Sequence, residues 1–352
     1  MDPPYGISAS IINGILRIRY SLVVVSTRVL VTGGSGFIGI HLVKMLHSRG
    51  YRVLNLDVQA PIDGRHLDLW VNCSILNLEI MQGLVADFSP EAIIHLAAVT
   101  TQNAKNINEF EVNLLGTENL IKVANELCDF QKFIFASTQY VNTPGLSLSS
   151  TEQPSKPYGF YGESKVLGEL MLKSKLIKPN WTIIRPTTIW GPWHSILIDG
   201  LWKQIANGRY FHPANDRAVK CYGYVENTAW QIVRLLELSQ DETACKVFYL
   251  GDENLLQSNW VGLFVSKLNG KEMREIPKFL LFVLSEFGEW LGKFGIKFPI
   301  YRSRYRNLLT TNPSPIDDTL KLLGPSPIGL EAAVEETCVW LKQFYSTRMR
   351  VS

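Results

Sequence analysis

Apolar positions along this chain fall into two alternating patterns. Short, nearly unbroken apolar runs are followed by stretches in which apolar residues return every three or four positions. From Arg28 the alternation is regular. Val29–Val31 reads as a buried strand, and Phe37–Arg49 as a helix with Ile38, Leu42 and Leu46 at i, i+4 spacing, stopped by Gly50. Tyr51–Leu56 is a second strand, running into Asp57. Ala92–Leu96, Lys132–Ala136 and Trp181–Arg185 are further strands, the last closed by Pro186, and Leu114–Leu127 and Tyr161–Lys175 are helices. Apolar strands alternating with helices of this length predict an α/β fold, a doubly wound parallel sheet covered on both faces.

Beyond Pro186 the pattern loosens. Trp190, Gly191, Pro192 and Trp193 mark loops expected to carry a substrate pocket. Residues 279–294 (FLLFVLSEFGEWLGKF) have helical spacing with acidic interruptions, which predicts a helix packed on a second, smaller domain; a membrane-surface helix is the alternative. Leu330–Phe344 is a closing helix. The expected organisation is an extension over 1–27, poorly ordered or preceding the true start, and a dinucleotide-binding domain over 28–190 to which 222–251 returns. Residues 191–221 and 252–346 would form an interleaved, smaller C-terminal substrate domain.

Charge and composition narrow the partners. A net charge of +3 over 352 residues, with basic residues scattered apart from Arg302, Arg304 and Arg306, gives no reason to expect nucleic acid. Five cysteines with no CxxC pair suggest reduced thiols in a cytoplasmic setting, and the histidines show no metal-ligand spacing, so no metal is expected. The apolar stretches of the first 27 residues are broken by Asn13, Arg17 and Arg19, which fits neither a signal peptide nor a spanning helix. No integral membrane segment is predicted.

Two local patterns carry chemistry. TGGSGFIG (32–39) follows a strand and opens a helix, with Asp57 at the end of the next strand. Gly33 allows the tight turn, Gly36 lets the backbone approach a pyrophosphate, and Gly39 permits close helix–strand packing. Amides at the helix N-terminus would face the phosphates. Asp57 would accept hydrogen bonds from adenosine ribose hydroxyls and repel a 2′-phosphate, which points to NAD, with NADP the weaker option. The second pattern is Tyr161–Gly–Glu–Ser–Lys165, whose ends share one helix face. A lysine cation beside a phenol, with the positive nicotinamide ring, would lower the tyrosine pKa toward use as a base.

TGGSGFIG, Asp57, HLAA (95–98), Asn113, FAST (135–138) and YGESK occur in the order and spacing of one family. The chain resembles an extended short-chain dehydrogenase/reductase of the NAD-dependent epimerase/dehydratase group, nucleotide-sugar epimerase-like with 3β-hydroxysteroid-dehydrogenase-like features, from Arg28 to about Phe344. RPTTIWGP (185–192) and YGYVENTAW (222–230) match two further family segments. The resemblance implies a Rossmann-type fold with Gly33, Gly36, Phe37 and Ile38 at the pyrophosphate and Asp57 at the ribose. Leu96, Ala97 and Ala98 would pass beneath the cofactor, with Asn113, Ser137, Pro186 and Ile189 near it. Tyr161 would be the acid/base, Lys165 would hold the nicotinamide ribose, and Thr138 would hydrogen-bond the reacting oxygen.

Departures from the family pattern restrict the reaction. Gln139 and Tyr140 stand where sugar dehydratases of the group carry an Asp–Glu pair, so elimination lacks its acids, as does decarboxylation. Redox chemistry or epimerisation remains. Thr188 replaces an asparagine common in nucleotide-sugar epimerases, and Lys220 a diphosphate-binding arginine, keeping the charge without the bidentate fork. Ser74 stands in place of an aspartate near the adenine. Gln139, Thr188, Lys220 and Arg302 are the expected substrate residues, Arg302 with its neighbours serving either as a phosphate clamp or as a solvated face. Three functions stay open: a nucleotide-sugar epimerase or oxidoreductase, a 3β-hydroxysteroid-dehydrogenase-like enzyme for an alicyclic alcohol, and a non-catalytic NAD-binding regulator. Leu114–Leu127 and Tyr161–Lys175 would build a homodimer by analogy.

Overall fold

Seven parallel strands form the central sheet of the computed structural model, which describes residues 27–145, 156–178, 180–296, 298 and 300–351. The expected N-terminal extension, up to residue 26, lies outside them. In chain order the sheet contains β1 (Arg28–Thr32), β2 (Arg52–Asp57), β3 (Trp70–Asn72), β4 (Ala92–His95), β5 (Lys132–Ala136) and β6 (Trp181–Pro186). Three strands of the second lobe follow, β7 (Thr188–Trp190), β8 (His212–Pro213) and β9 (Val219–Tyr224), before β10 (Lys246–Leu250) returns to the large sheet. The spatial order is β10-β6-β5-β4-β1-β2-β3.

Both faces are dry, and alternation along the strands divides the core. Val29, Val31, Ile94, Ile134 and Ile184 face α1 (Phe37–Ser48) and, on the return segment, Val225–Glu237. Leu30, Ile93, Phe133, Phe135 and Ile183 face α2 (Leu78–Phe88), α3 (Thr117–Glu126) and α4 (Gly159–Lys175). Each fully buried aliphatic or aromatic side chain is worth about 1.5–3 kcal/mol in transfer free energy. The Val225–Glu237 helix, α5, packs along α1, and β10 pairs with β6, so the return segment extends the large sheet and covers part of one face.

Several elements differ from the sequence reading. β7, inside the expected first domain, pairs with β9 in a three-stranded sheet completed by β11 (Glu253–Leu256); the chain therefore leaves the large sheet at Pro186. The helix expected at 114–127 begins as a wide turn over Val112–Gly116, and α2 and β3 were not anticipated. The smaller lobe also contains α6 (Gln257–Asn269), β12 (Glu275–Ile276, paired with β8), α7 (Lys278–Gly292), α8 (Arg302–Leu309) and α10 (Leu330–Val351), whereas α9 (Asp317–Leu323) packs back on β10 and α5 of the large-sheet domain, with Leu323 in its core. The core of the smaller lobe is aromatic: Tyr222 stacks on Trp260 at 4.5 Å, and Trp190 meets Phe264 edge-on at 5.4 Å. α7 packs along α8 by a narrow side only. Only Leu281, Ser285 and Gly288 of that helix are buried, and its broad apolar face is exposed.

Lys132 shows how a polar group is accommodated at the edge of the first core. Its ammonium donates to the carbonyls of Leu235 (2.8 Å), Leu236 (3.3 Å) and Leu238 (2.7 Å), satisfying the C-terminus of α5, while burial lowers its pKa to about 8. Lys132→Met should therefore cost about 2 kcal/mol, measured by urea denaturation at neutral pH, because buried carbonyls lose their donor.

Candidate active site

The chain enters the site at the carboxyl end of β1. β1 lies between β2 and β4, so the connections after β1 and β4 diverge and leave a crevice, the place where open α/β sheets bind ligands. Gly33 has φ +73°, and a Cβ there would lie 2.5 Å from the Ala97 amide nitrogen. Gly39 is equally constrained, a Cβ lying 2.3 Å from the Gly33 carbonyl, so the turn and α1 are in contact. At Gly36 a Cβ would meet only the Gly33 oxygen, at 3.5 Å, and would project into open space. Gly36 also caps α1 with no side-chain hydrogen bond and no acid in the first turn. The first amides of α1 are thus presented to an anion from outside the chain.

Asp57 ends β2 and is held in place by its neighbours. The amide of Ser35 donates to Oδ2 (3.1 Å) and that of Gln59 to Oδ1 (3.0 Å), leaving acceptor capacity on both oxygens. Leu96, Ala97 and Ala98 follow β4, half-buried, with Leu96 tied to Thr32. Phe37 and Ile38 are half-buried at the start of α1, and Phe37 meets His194 edge-on at 4.7 Å. An uncapped helix start, a glycine cradle and a fixed carboxylate fit an adenine dinucleotide. Asn113 is placed differently from a simple lining residue. Its side chain receives the Val99 amide (2.8 Å) and donates to Val99 O and Ser164 Oγ (both 3.0 Å), clamping the loop after β4 to α4.

The catalytic candidates come from two elements. Thr138 follows β5, where its hydroxyl accepts the Tyr140 amide at 3.3 Å, and it hydrogen-bonds Tyr161 on α4. Lys165, one turn beyond, donates to the Ala136 carbonyl at 2.8 Å, leaving two further donors. The expected lowering of the tyrosine pKa is corrected in this state. Burial raises Tyr161 to about 12, against which the Thr138 hydrogen bond acts, and burial lowers Lys165 to about 8. Close approach depends on glycines that sequence reasoning missed. A Cβ on Gly162 would stand 2.2 Å from Tyr140 O, and one on Gly168 would stand 2.7 Å from the Phe135 ring.

Glu169 and Arg185 were also missed, although they lie one turn beyond Lys165 and just before Pro186. Arg185 Nε donates to Glu169 Oε1 (2.9 Å) and Nη2 to Oε2 (2.8 Å), with both side chains almost wholly buried. Ser137, expected at the cofactor, donates its hydroxyl to Glu169 at 2.6 Å, and Arg185 Nη1 donates to Tyr249 at 3.0 Å. His95 bridges Thr32 and Thr117 behind the loop, held neutral by burial near pKa 3.

The substrate candidates gather around Gln139. Its amide donates to Thr188 (3.4 Å), and its oxygen accepts Asn312 (3.1 Å) and Ser314 (3.4 Å). Lys220 on β9 donates to the backbone oxygen (2.9 Å) and side-chain oxygen (2.6 Å) of Asn307, next to its backbone bridge with Asn312. Burial lowers its pKa to about 8. Arg302 is not part of this group; it is exposed and engaged with Glu286 of α7. Pro186 ends β6 half-buried, while Ile189 is buried against Gly223 in the second lobe. Among the described residues no cluster has the makings of a metal site.

A family model for the NAD dependent epimerase/dehydratase family matches residues 29–251. The human sterol-4-alpha-carboxylate 3-dehydrogenase, decarboxylating, is 28% identical over 265 residues, covering 72% of this chain and 68% of that protein. A UDP-glucose 4-epimerase of Mycolicibacterium smegmatis is 32% identical over 180 residues, 47% of this chain and 57% of that one. In structure, the UDP-glucose 4-epimerase of Thermotoga maritima superposes with a TM-score of 0.71 at 19% identity, over 91% of this chain and 100% of that one.

Two predictions follow from the buried charges. Arg185→Met removes the bidentate partner of the buried Glu169, leaving it the Ser137 hydroxyl and the Lys173 ammonium at 4.0 Å, and should cost about 3 kcal/mol in denaturant unfolding; the double variant Glu169→Leu/Arg185→Met should recover most of that loss. A cost near zero for the single variant would contradict the buried pair. Lys165 titrates near 8 when folded against 10.5 in a free chain, so the unfolded state binds more protons between those values and stability rises with pH there. Measured against Lys165→Met, the wild type should gain about 3 kcal/mol across that window.

Proposed function

The chain belongs to the NAD dependent epimerase/dehydratase family, and on that premise we propose that it oxidises and re-reduces a ring hydroxyl carbon of a nucleotide-linked sugar. NAD, when bound, supplies the hydride acceptor and donor. Gly33, Gly36, Phe37 and Ile38 would hold its pyrophosphate, Asp57 its adenosine ribose, and the free donors of Lys165 its nicotinamide ribose.

The protein's own groups handle the proton. Tyr161 removes it from the substrate hydroxyl and returns it at the end of the cycle. The Thr138 hydrogen bond favours the phenolate, while burial opposes it. Lys165 is the cation on the same helix face and stays charged below about pH 8. Gln139 spends its amide on Thr188, Asn312 and Ser314, and offers no proton for elimination. The intact contact between Thr138 and Tyr161 favours a catalyst over a regulator.

One observation carries the sugar reading. Beside Thr138 the wall of the site is polar, built from Gln139, Thr188, Asn312 and Ser314, with the Lys220 ammonium behind it. Hydroxyls and a diphosphate suit such a wall; a sterol needs an apolar slot. The alternative, a sterol-like alcohol, is supported by the similarity to the human sterol enzyme. A homodimer through α3 and α4 is part of the proposal, supported by the exposed Leu115, Leu167 and Leu170.

Exhaustively dialysed protein should release close to one NAD per chain on denaturation, because an epimerase does not exchange its cofactor at each turnover; an empty site points to a dehydrogenase. Lys220→Met should raise KM for the nucleotide sugar about tenfold, or ~1.4 kcal/mol, with little change in kcat. An unchanged KM, or turnover of sterol alcohols alone, would sink the nucleotide-sugar reading.

A further inference from the structure

Helix α7 takes no part in the chemistry above. Its inner side is narrow: Leu281, Ser285 and Gly288 are buried, and Gly288 passes so close to the Ile300 carbonyl that a Cβ would overlap it. On the outer side Phe279, Val283, Phe287 and Trp290 recur at spacings of three and four and share one face, and Phe294 follows in the turn just past the helix end. All five are exposed, Phe279 to 73% and Phe294 to 65%. An apolar surface of this continuity marks an interaction site rather than ordinary surface.

Charge indicates what covers it. Glu286, the acid nearest this face, is occupied by Nε and Nη2 of Arg302 from α8. From Lys278 to Arg306 the sequence carries Lys278, Lys293, Lys297, Arg302, Arg304 and Arg306 against only Glu286 and Glu289. The segment that carries the apolar face thus has an excess of positive charge, and the face includes Trp290, a residue type suited to the headgroup boundary. Two copies meeting face to face across a two-fold axis would bring these cations together, which disfavours self-association. α7 spans fifteen residues, and no helix among the described residues is long and apolar enough to cross a membrane.

We propose that the outer face of α7 docks on a lipid bilayer containing anionic headgroups, with the helix lying in the interfacial plane. Its aromatic side chains enter the acyl boundary and its flanking lysines and arginines meet the lipid phosphates. α8 packs along α7, Phe282 meeting Tyr305 edge-on at 5.7 Å, and Asn307 of α8 holds Lys220. The docking face and the substrate wall thus share one scaffold.

Flotation of the full chain with vesicles tests this. The wild type should float with vesicles of equimolar phosphatidylcholine and phosphatidylglycerol, and less with phosphatidylcholine alone, its binding weakening as salt is added. The triple variant Phe279→Ser/Trp290→Ser/Phe294→Ser removes only exposed side chains. It should keep the wild-type melting curve and lower the partition coefficient on the order of a hundredfold. Wild type that stays at the bottom of the gradient, or a triple variant that floats equally well, overturns the proposal. So does a wild-type oligomer, seen by sedimentation velocity without lipid, that the triple variant dissociates, because a second copy would then own the face. Deleting residues 1–26 should leave flotation unchanged; its loss would assign membrane binding to that segment instead.

Discussion

Glu169 and Arg185 face each other out of reach of water, and the position of the catalytic helix depends on how they do so. Burying either charge alone is costly, several kcal/mol after relaxation, and the pair offsets this only with near-ideal geometry and its remaining polar atoms satisfied. Here the fork is bidentate, Ser137 from the end of β5 supplies a further donor, and Tyr249 of β10 takes another guanidinium proton. Three strands and α4 are joined at one point. A slip of α4 by a fraction of a turn would break the Arg185 and Ser137 bonds to Glu169 together. Lys165 and Tyr161 lie one and two turns earlier on that helix, so the pair adds to the direct bonds by which Lys165 meets Ala136 and Tyr161 meets Thr138.

Close backbone approach is the second constraint, and it acts on both sides of the crevice. On the cofactor side the β1–α1 turn lies against Ala97 without room for a Cβ at Gly33. On the catalytic side α4 lies against Tyr140 and Phe135, again only because Gly162 and Gly168 lack side chains. The same glycines that cost helix stability let Tyr161 reach the Thr138 hydroxyl. Stability is given up at the positions where the proposed reacting groups converge, a common trade in enzymes.

Much of this was legible in the sequence, for identifiable reasons. A parallel sheet buried on both faces writes itself as apolar runs, and a phosphate turn requires glycines at fixed offsets, so β1, α1, β2, β4, β5, α4 and β6 could be read almost to the residue. α2 was missed because Gly83 interrupts a short apolar pattern, and β3 because three residues carry no period. Asn113 was placed near the cofactor, but its bonds to Val99 and Ser164 depend on a wide turn that no propensity signals. The tyrosine–lysine spacing was visible; the burial that moves both pKa values in opposite directions was not, because it comes from elements distant in sequence. Amphipathicity located α7 but could not say which side met water.

Substrate choice is divided from the fold in a way that explains why the sequence says less about it. Thr138, Tyr161, Lys165 and the glycine turn all lie within residues 29–251, the part the family shares. Gln139, Thr188 and Lys220 lie there too, yet Gln139 is fixed by Asn312 and Ser314, and Lys220 by Asn307, all beyond it. Thr188 takes part only through Gln139. The proposed substrate wall is therefore a joint between the part the family model matches and the C-terminal region beyond it. Changes there can alter what is bound without disturbing the Glu169–Arg185 contact or the cofactor crevice, which lets one fold serve sugars in one relative and sterols in another. In this chain the same region carries α7, so its surface and its substrate wall change together.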